Sequence, residues 1–221
     1  MPRPQRKPEE IEAVKEQILG QALTLIVQNG FEGLSMRKLA SKLGIAAKTI
    51  YNYFNNKDEL YLVILTRGFE NLYDKCRGIV TGPSLPLEKL RAMISAYMEF
   101  AFDNVNLYNL MFTWHVPKYN DYVGTPMEAS ARAELDIALR VVDLFTEAIK
   151  NVAGHGVEQT QPDRLRLLLV HAWAQLHGYV AGVNNHLLDY LTPAPEELKG
   201  RVLDQIVLNL KREIDTWPPT R

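Results

Sequence analysis

Ser35-Met-Arg-Lys-Leu-Ala-Ser-Lys-Leu-Gly-Ile-Ala-Ala-Lys-Thr-Ile-Tyr-Asn-Tyr-Phe54, with Lys57 just beyond it, is the stretch from which the rest of the chain can be read. Ser35 suits a helix N-cap, because its hydroxyl can accept from a backbone N–H of the first turn. Met36, Leu39, Ala40 and Leu43 follow at i, i+3, i+4 and i+7 and lay one apolar stripe along a short helix. Gly44 tolerates positive φ, so the chain turns sharply at Gly44-Ile45 and a second helix starts near Ala46 or Ala47. At ~100° per residue, Lys48, Tyr51, Asn52 and Asn55 fall within roughly ±60° of one direction, while Ile50 and Phe54 point roughly 200–240° away. One side is buried and the other carries an amine, a phenol and amides, with no carboxylate before Asp58 to repel a polyanion. The pattern predicts a helix-turn-helix whose second helix, a rod over residues 46–57, lies in a DNA major groove.

The longer run from Gly30 to Leu60 resembles the N-terminal DNA-binding domain of the TetR family of repressors. The resemblance rests on the cap Ser35, the Arg-x-x-Ala helix from Arg37 to Ala40, the Gly44-Ile45 turn, the run Tyr51, Tyr53, Phe54, and Lys57 followed by an acidic pair before Leu60. Beyond this run the chain is similar to that family only in helical layout. The resemblance implies that Lys48 and Asn52 approach base edges with Ala47 and Thr49 close beside them. It implies that Ser35, Arg37, Tyr51, Tyr53 and Lys57 meet phosphates, which set register rather than sequence, and that Ile50 and Phe54 are core.

Composition agrees with a head and a body. Residues 1–57 hold nine Lys and Arg against five Asp and Glu, and the remainder holds sixteen against twenty-one. A weakly basic head on an acidic body fits a nucleic-acid reader joined to a sensing or dimerising part. With 221 residues, 47% of them hydrophobic, the chain can bury a substantial core. The lone Cys76 excludes an intrachain disulfide and is compatible with a reducing cytosol. No stretch approaches ~18 uninterrupted apolar residues, and Glu9, Glu10 and Glu12 stand where a signal peptide would be apolar. The expected location is cytoplasmic, without a membrane partner.

In chain order, residues 1–8 read as a disordered basic arm, and a first helix from 8 or 9 to 28 braces the helix-turn-helix, with Phe31 and Leu34 plugging the small core. A linking helix begins at Lys57-Asp58-Glu59, whose acids suit the positive end of its dipole, and runs to about 77. The Gly- and Pro-rich stretch 78–86 is a loop. Helices are expected over 87–104, 105–114, 126–152, 161–185 and 195–217, with 115–125 a polar and aromatic loop and Gly154 and Gly156 closing the third of these. The expected fold is all-α: a three-helix helix-turn-helix domain over 1–56 and a helical ligand-binding and dimerisation domain over 57–221.

The last two helices are apolar on more than one face, and Ala174, Gly178 and Gly182 recur at i, i+4, i+8. A mid-helix glycine costs about 1 kcal/mol relative to alanine, which a close backbone contact must offset. A homodimer packed through Leu168, Ala174, Gly178, Gly182, Ile206 and Leu210 is expected, and the family resemblance implies a four-helix interface built by such a pair. The alternative is that the glycines relieve crowding inside one subunit. The body is expected to enclose an effector cavity lined from Tyr97, Phe100, Met111, Trp114, His115, Tyr119, Trp173, His177 and Tyr179, the aromatic, sulfur and polar-tipped side chains that suit a largely apolar small molecule. Trp173, His177 and Gly178 also resemble an element of one C-terminal subgroup of the family.

No catalytic constellation is read. His171, His177 and His186 do not share a helix face as an i, i+4 metal pair would, there is no Gly-rich phosphate loop, and Cys76 has no evident base. Neither cofactor nor metal is expected. The reading is a ligand-responsive, sequence-specific transcriptional regulator, a repressor by default, binding a palindromic operator on double-stranded DNA as a homodimer. The alternative is a helical effector-binding dimer that acts through protein contacts without DNA.

Overall fold

The computed structural model describes residues 7–154 and 161–217. Every regular element among them is helical: α1 (Pro8–Gly33), α2 (Met36–Leu43), α3 (Ala47–Tyr51), α4 (Lys57–Val80), α5 (Pro86–Asp103), α6 (Val105–Phe112), α7 (Tyr119–Tyr122), α8 (Glu128–Ala153), α9 (Pro162–Asn184) and α10 (Lys199–Asp215), with 3-10 turns at Leu188–Tyr190 and Pro195–Leu198. None of these helices is long and apolar enough to cross a membrane. Residues 1–6 of the expected N-terminal arm and Gly156 lie outside the described residues.

The chain packs into two units, Met1–Gly68 with His115–Leu135, and Phe69–Trp114 with Asp136–Arg221. The expected division after residue 56 falls inside the first unit, which keeps the start of α4 and gains a segment from the middle of the chain. Three bonds explain that gain. Tyr61 Oη donates to the Pro117 carbonyl at 2.9 Å, Tyr122 Oη to Asp58 Oδ1 at 3.0 Å, and Asn56 Nδ2 to Met127 Sδ at 3.5 Å. Residues 119–122, expected in a loop, form the short α7, with Asp121 accepting from the Lys118 N–H at 2.7 Å to cap its first turn.

Within the first unit, Ile18, Ala22, Leu25 and Ile26 of α1 meet Leu34, Leu39, Ile50 and Leu60 in a core from which solvent is almost excluded. Gly30 breaks the helical path of α1 with φ 71°, which lets Phe31 fold back against the Tyr61 ring at 4.9 Å between centroids. Arg67 on α4 pairs with both Glu12 and Glu16 of α1.

In the second unit α5 is the centre, packed by α6, α9 and α10, and α9 lies along α10. Leu90, Met93, Ile94 and Met98 of α5, Leu165, Leu168 and Val180 of α9, and Leu203, Ile206 and Leu210 of α10 form its core. Asn109, buried on α6, exchanges side-chain amide bonds of 3.2 and 3.1 Å with Asn185 at the end of α9, so that neither amide is left unpaired in the core. Of the six residues expected at the dimer face, four are held by contacts inside the subunit. Leu168, Ile206 and Leu210 are at most 5% exposed, turned into their own subunit. A Cβ on Gly182 would stand 2.7 Å from Leu188 Cγ, so that glycine is required by the turn that follows α9. Ala174 and Gly178 are exposed, and Gly178 has open space where a side chain would begin.

Candidate functional site

The helix-turn-helix is built by local rules. Ser35 caps α2 by accepting from the Lys38 N–H at 3.3 Å, and Gly44 closes it with φ 65°. Lys38 also donates from Nζ to the Gly33 carbonyl at 3.1 Å. Beyond the turn, Ile50 and Phe54 are 0% and 4% exposed and anchor α3 to the core, while Lys48, Tyr51 and Asn52 are exposed on its outer side. Ala47, Thr49, Tyr53 and Ser35 are half-buried beside them, and Arg37 and Lys42 of α2 are exposed. Amine, guanidinium, phenol and amide groups thus share one surface carried by two short helices, a donor-rich patch suited to phosphates and base edges.

At three places this surface differs from the expected one or gains a partner within the chain. The rod expected over 46–57 ends at Tyr51, where Tyr53 and Phe54 N–H groups both turn back to the Ile50 carbonyl at 2.9 and 3.0 Å. Asn55, expected on the outward face, is instead held by Glu59, whose Oε2 accepts from its N–H at 2.6 Å and its Nδ2 at 2.8 Å, while Asn56 Oδ1 caps α4 by accepting from the Glu59 N–H at 2.8 Å. Asparagine side chains compete with helical bonds and favour such caps. Lys57, expected at a phosphate, reaches Glu32 Oε2 at 3.0 Å and lies 4.4 Å above the centre of the Phe31 ring.

The nine residues expected around an effector do not gather in one place. His115 and Tyr119 belong to the first unit, because the chain beyond α6 is drawn to the start of α4. Tyr179 donates from its hydroxyl to the Pro195 carbonyl at 2.8 Å and packs edge-on to Phe102. Phe100 and Met111 are buried, and Trp114 is half-buried. What the fold does bring together is Tyr97, His177 and Trp173, joined by three residues the sequence reading missed: Tyr108, Phe112 and Phe145. Tyr97 Oη donates to Tyr108 Oη at 3.2 Å, and Tyr108 Oη lies 2.6 Å from His177 Nδ1. Trp173 stacks on the His177 ring at 4.5 Å. Burial pushes Tyr97 and Tyr108 up, Tyr108 to about 12, and holds His177 below its ordinary range. Tyr108 was legible as an apolar-face residue of α6, but its distance of 69 positions from His177 hid the pairing. Two clefts in the second unit, of about 380 Å³ beside Lys89 and Lys150 and about 180 Å³ between α9 and α10, are lined by none of the nine.

Comparison with known proteins bears on both units. The family model described as bacterial regulatory proteins, tetR family, matches residues 18–64, and the tetracyclin repressor-like C-terminal domain matches residues 90–206. The chain is similar to the transcriptional activator FasR of Mycolicibacterium smegmatis, with 30% identity over 114 residues, 52% of this chain and 49% of that protein. The matched segment therefore spans about half the length of that curated relative. By structure it is similar to the fatty acid degradation regulator FadR from Bacillus halodurans, with TM-score 0.65 and 17% identity over 92% of this chain and 96% of that one. It is also similar to FadR from Bacillus subtilis in complex with stearoyl-CoA, with TM-score 0.60 and 17% identity over 87% and 97%. At such identities the likeness is one of fold.

Proposed function

Because the chain belongs to the TetR family of bacterial regulatory proteins, we infer that it is a dimeric DNA-binding regulator whose α3 reads an operator half-site and whose second unit takes a small, largely apolar effector. The observation that carries this reading is the split of α3, with Ile50 and Phe54 in the core and Lys48, Tyr51 and Asn52 outward beside exposed Arg37 and Lys42. A second copy is the natural cover for α9, where Leu167, Val170 and Trp173 are 54%, 61% and 49% exposed next to Ala174 and Gly178. With one recognition helix per subunit, a twofold dimer asks for a palindromic site. Repression by occupancy of a promoter is the default output.

For the effector, the aromatic cluster around Tyr97 and Tyr108 favours an apolar body. The stearoyl-CoA complex of the similar Bacillus subtilis FadR makes long-chain acyl compounds the first class to test. The effector acts by binding one conformation of the dimer more tightly than another, and that difference bounds how far operator affinity can fall.

The test is selection of an operator from random duplexes followed by titration at several salt concentrations. We expect a palindrome bound by a dimer, with Lys48→Ala costing about 1–3 kcal/mol on the selected site and much less on random DNA. Equal losses on both would remove Lys48 from base reading. A protein that selects no duplex would favour the reading in which the helical dimer acts through protein contacts.

A further inference from the structure

Tyr97, Tyr108 and His177 form a hydrogen-bonded chain with an unusual property for a polar group in a core. Each member both donates and accepts, so the chain can run in either direction. With His177 accepting at Nδ1, Tyr108 donates to it, Tyr97 donates to Tyr108, and the Tyr97 oxygen is left with free lone pairs. With the other neutral tautomer, Nδ1–H donates to Tyr108, Tyr108 donates to Tyr97, and the Tyr97 O–H is free to donate. The open end at Tyr97 therefore offers a ligand either a lone pair or a proton, and no charge changes hands.

The surroundings are equally free of charge. Tyr97 and Tyr108 are 3% and 0% exposed. Their ring neighbours are Phe112 and Phe145, at 6.1 and 6.3 Å from Tyr97. Among the described residues no lysine, arginine or carboxylate hydrogen-bonds to any of the three. The shifts of Tyr97, Tyr108 and His177 arise from burial and from one another, with no charged residue among their causes. A carboxylate brought to Tyr97 would lose its water and find no cation in exchange, which is costly, whereas an uncharged oxygen would lose little and gain a hydrogen bond.

Resting on the reading of the second unit as an effector domain, we propose that the Tyr97–Tyr108–His177 chain is the polar anchor of the effector site and selects an uncharged oxygen function, an alcohol or a ketone or ester carbonyl, over a free carboxylate on the same apolar body. Phe112 and Phe145, the half-buried rings beside Tyr97, are the side chains that such a body would have to displace.

The test uses the full chain and three probes of equal chain length, 1-dodecanol, methyl dodecanoate and dodecanoate, titrated near neutral pH and read by tryptophan fluorescence and calorimetry. The alcohol and the ester should bind about tenfold more tightly than the carboxylate. Tyr108→Phe and, independently, Tyr97→Phe should bring the three affinities to within about threefold of one another, with unfolding curves reporting that each variant is folded. A carboxylate that binds as tightly as the other two, or a preference untouched in both variants, overturns the anchor while leaving an apolar effector domain in place. If none of the three binds, the apolar-effector reading fails and the anchor fails with it.

Discussion

Lys57 shows how a residue that reads as a phosphate contact acquires another partner. The sequence places it after a helix-turn-helix and before an acidic pair, where the family resemblance implies DNA. In the fold its ammonium sits between Glu32 and the Phe31 ring, with 28% of the side chain exposed, while Glu32 is 85% exposed. Water screens the ion pair, so most of the value of this contact comes from the ring and from packing of the lysine stem. We expect Lys57→Ala to lower stability by about 1 kcal/mol, with Glu32→Ala recovering less than half of that effect in a double-mutant cycle followed by urea unfolding. Unchanged stability combined with an equal loss of affinity for every duplex would make Lys57 a phosphate contact and not a brace.

At the scale of one element, α9 carries two glycines with opposite consequences. Gly182 faces Leu188, and an added Cβ at 2.7 Å forces that side chain or the following turn to move. Gly178 faces open space on the exposed side with Ala174 and Val170. Gly182→Ala should therefore destabilise the subunit by about 1–3 kcal/mol, partly relieved by Leu188→Ala. Gly178→Ala should stabilise the isolated subunit by up to about 1 kcal/mol through helix propensity and weaken association of two copies, measured by sedimentation across a dilution series. Unimpaired association of the Gly178 variant would move the dimer contact away from this stripe. The i, i+4, i+8 spacing gave both residues the same meaning, because periodicity reports a shared face but not what lies opposite each turn.

For the molecule as a whole, the half-buried His177 makes stability depend on pH. Burial lowers its folded pKa below the ordinary 6.5, so between the two values the unfolded chain binds more protons than the folded one. The contribution is fully present above the unfolded value and is lost as pH falls through the folded one. We expect the melting temperature to drop from about pH 7 to about pH 5, and His177→Gln, which keeps an acceptor for Tyr108, to flatten that slope. An unchanged slope would assign the acid sensitivity to other groups.

The sequence by itself determined the order of the helices other than α7, the capped turn at Ser35 and Gly44, and the inward direction of Ile50 and Phe54, because caps, positive φ and helical periodicity act over a few residues. Tertiary structure alone decided that residues 115–135 pack with the start of α4, that Leu168, Ile206 and Leu210 are interior, and that Tyr108 completes a chain between Tyr97 and His177. Those outcomes depend on which surfaces meet across tens of positions in the chain. A local pattern says that a side chain is apolar or polar-tipped, and only the packed neighbours say whether it faces its own core, a second copy or a ligand.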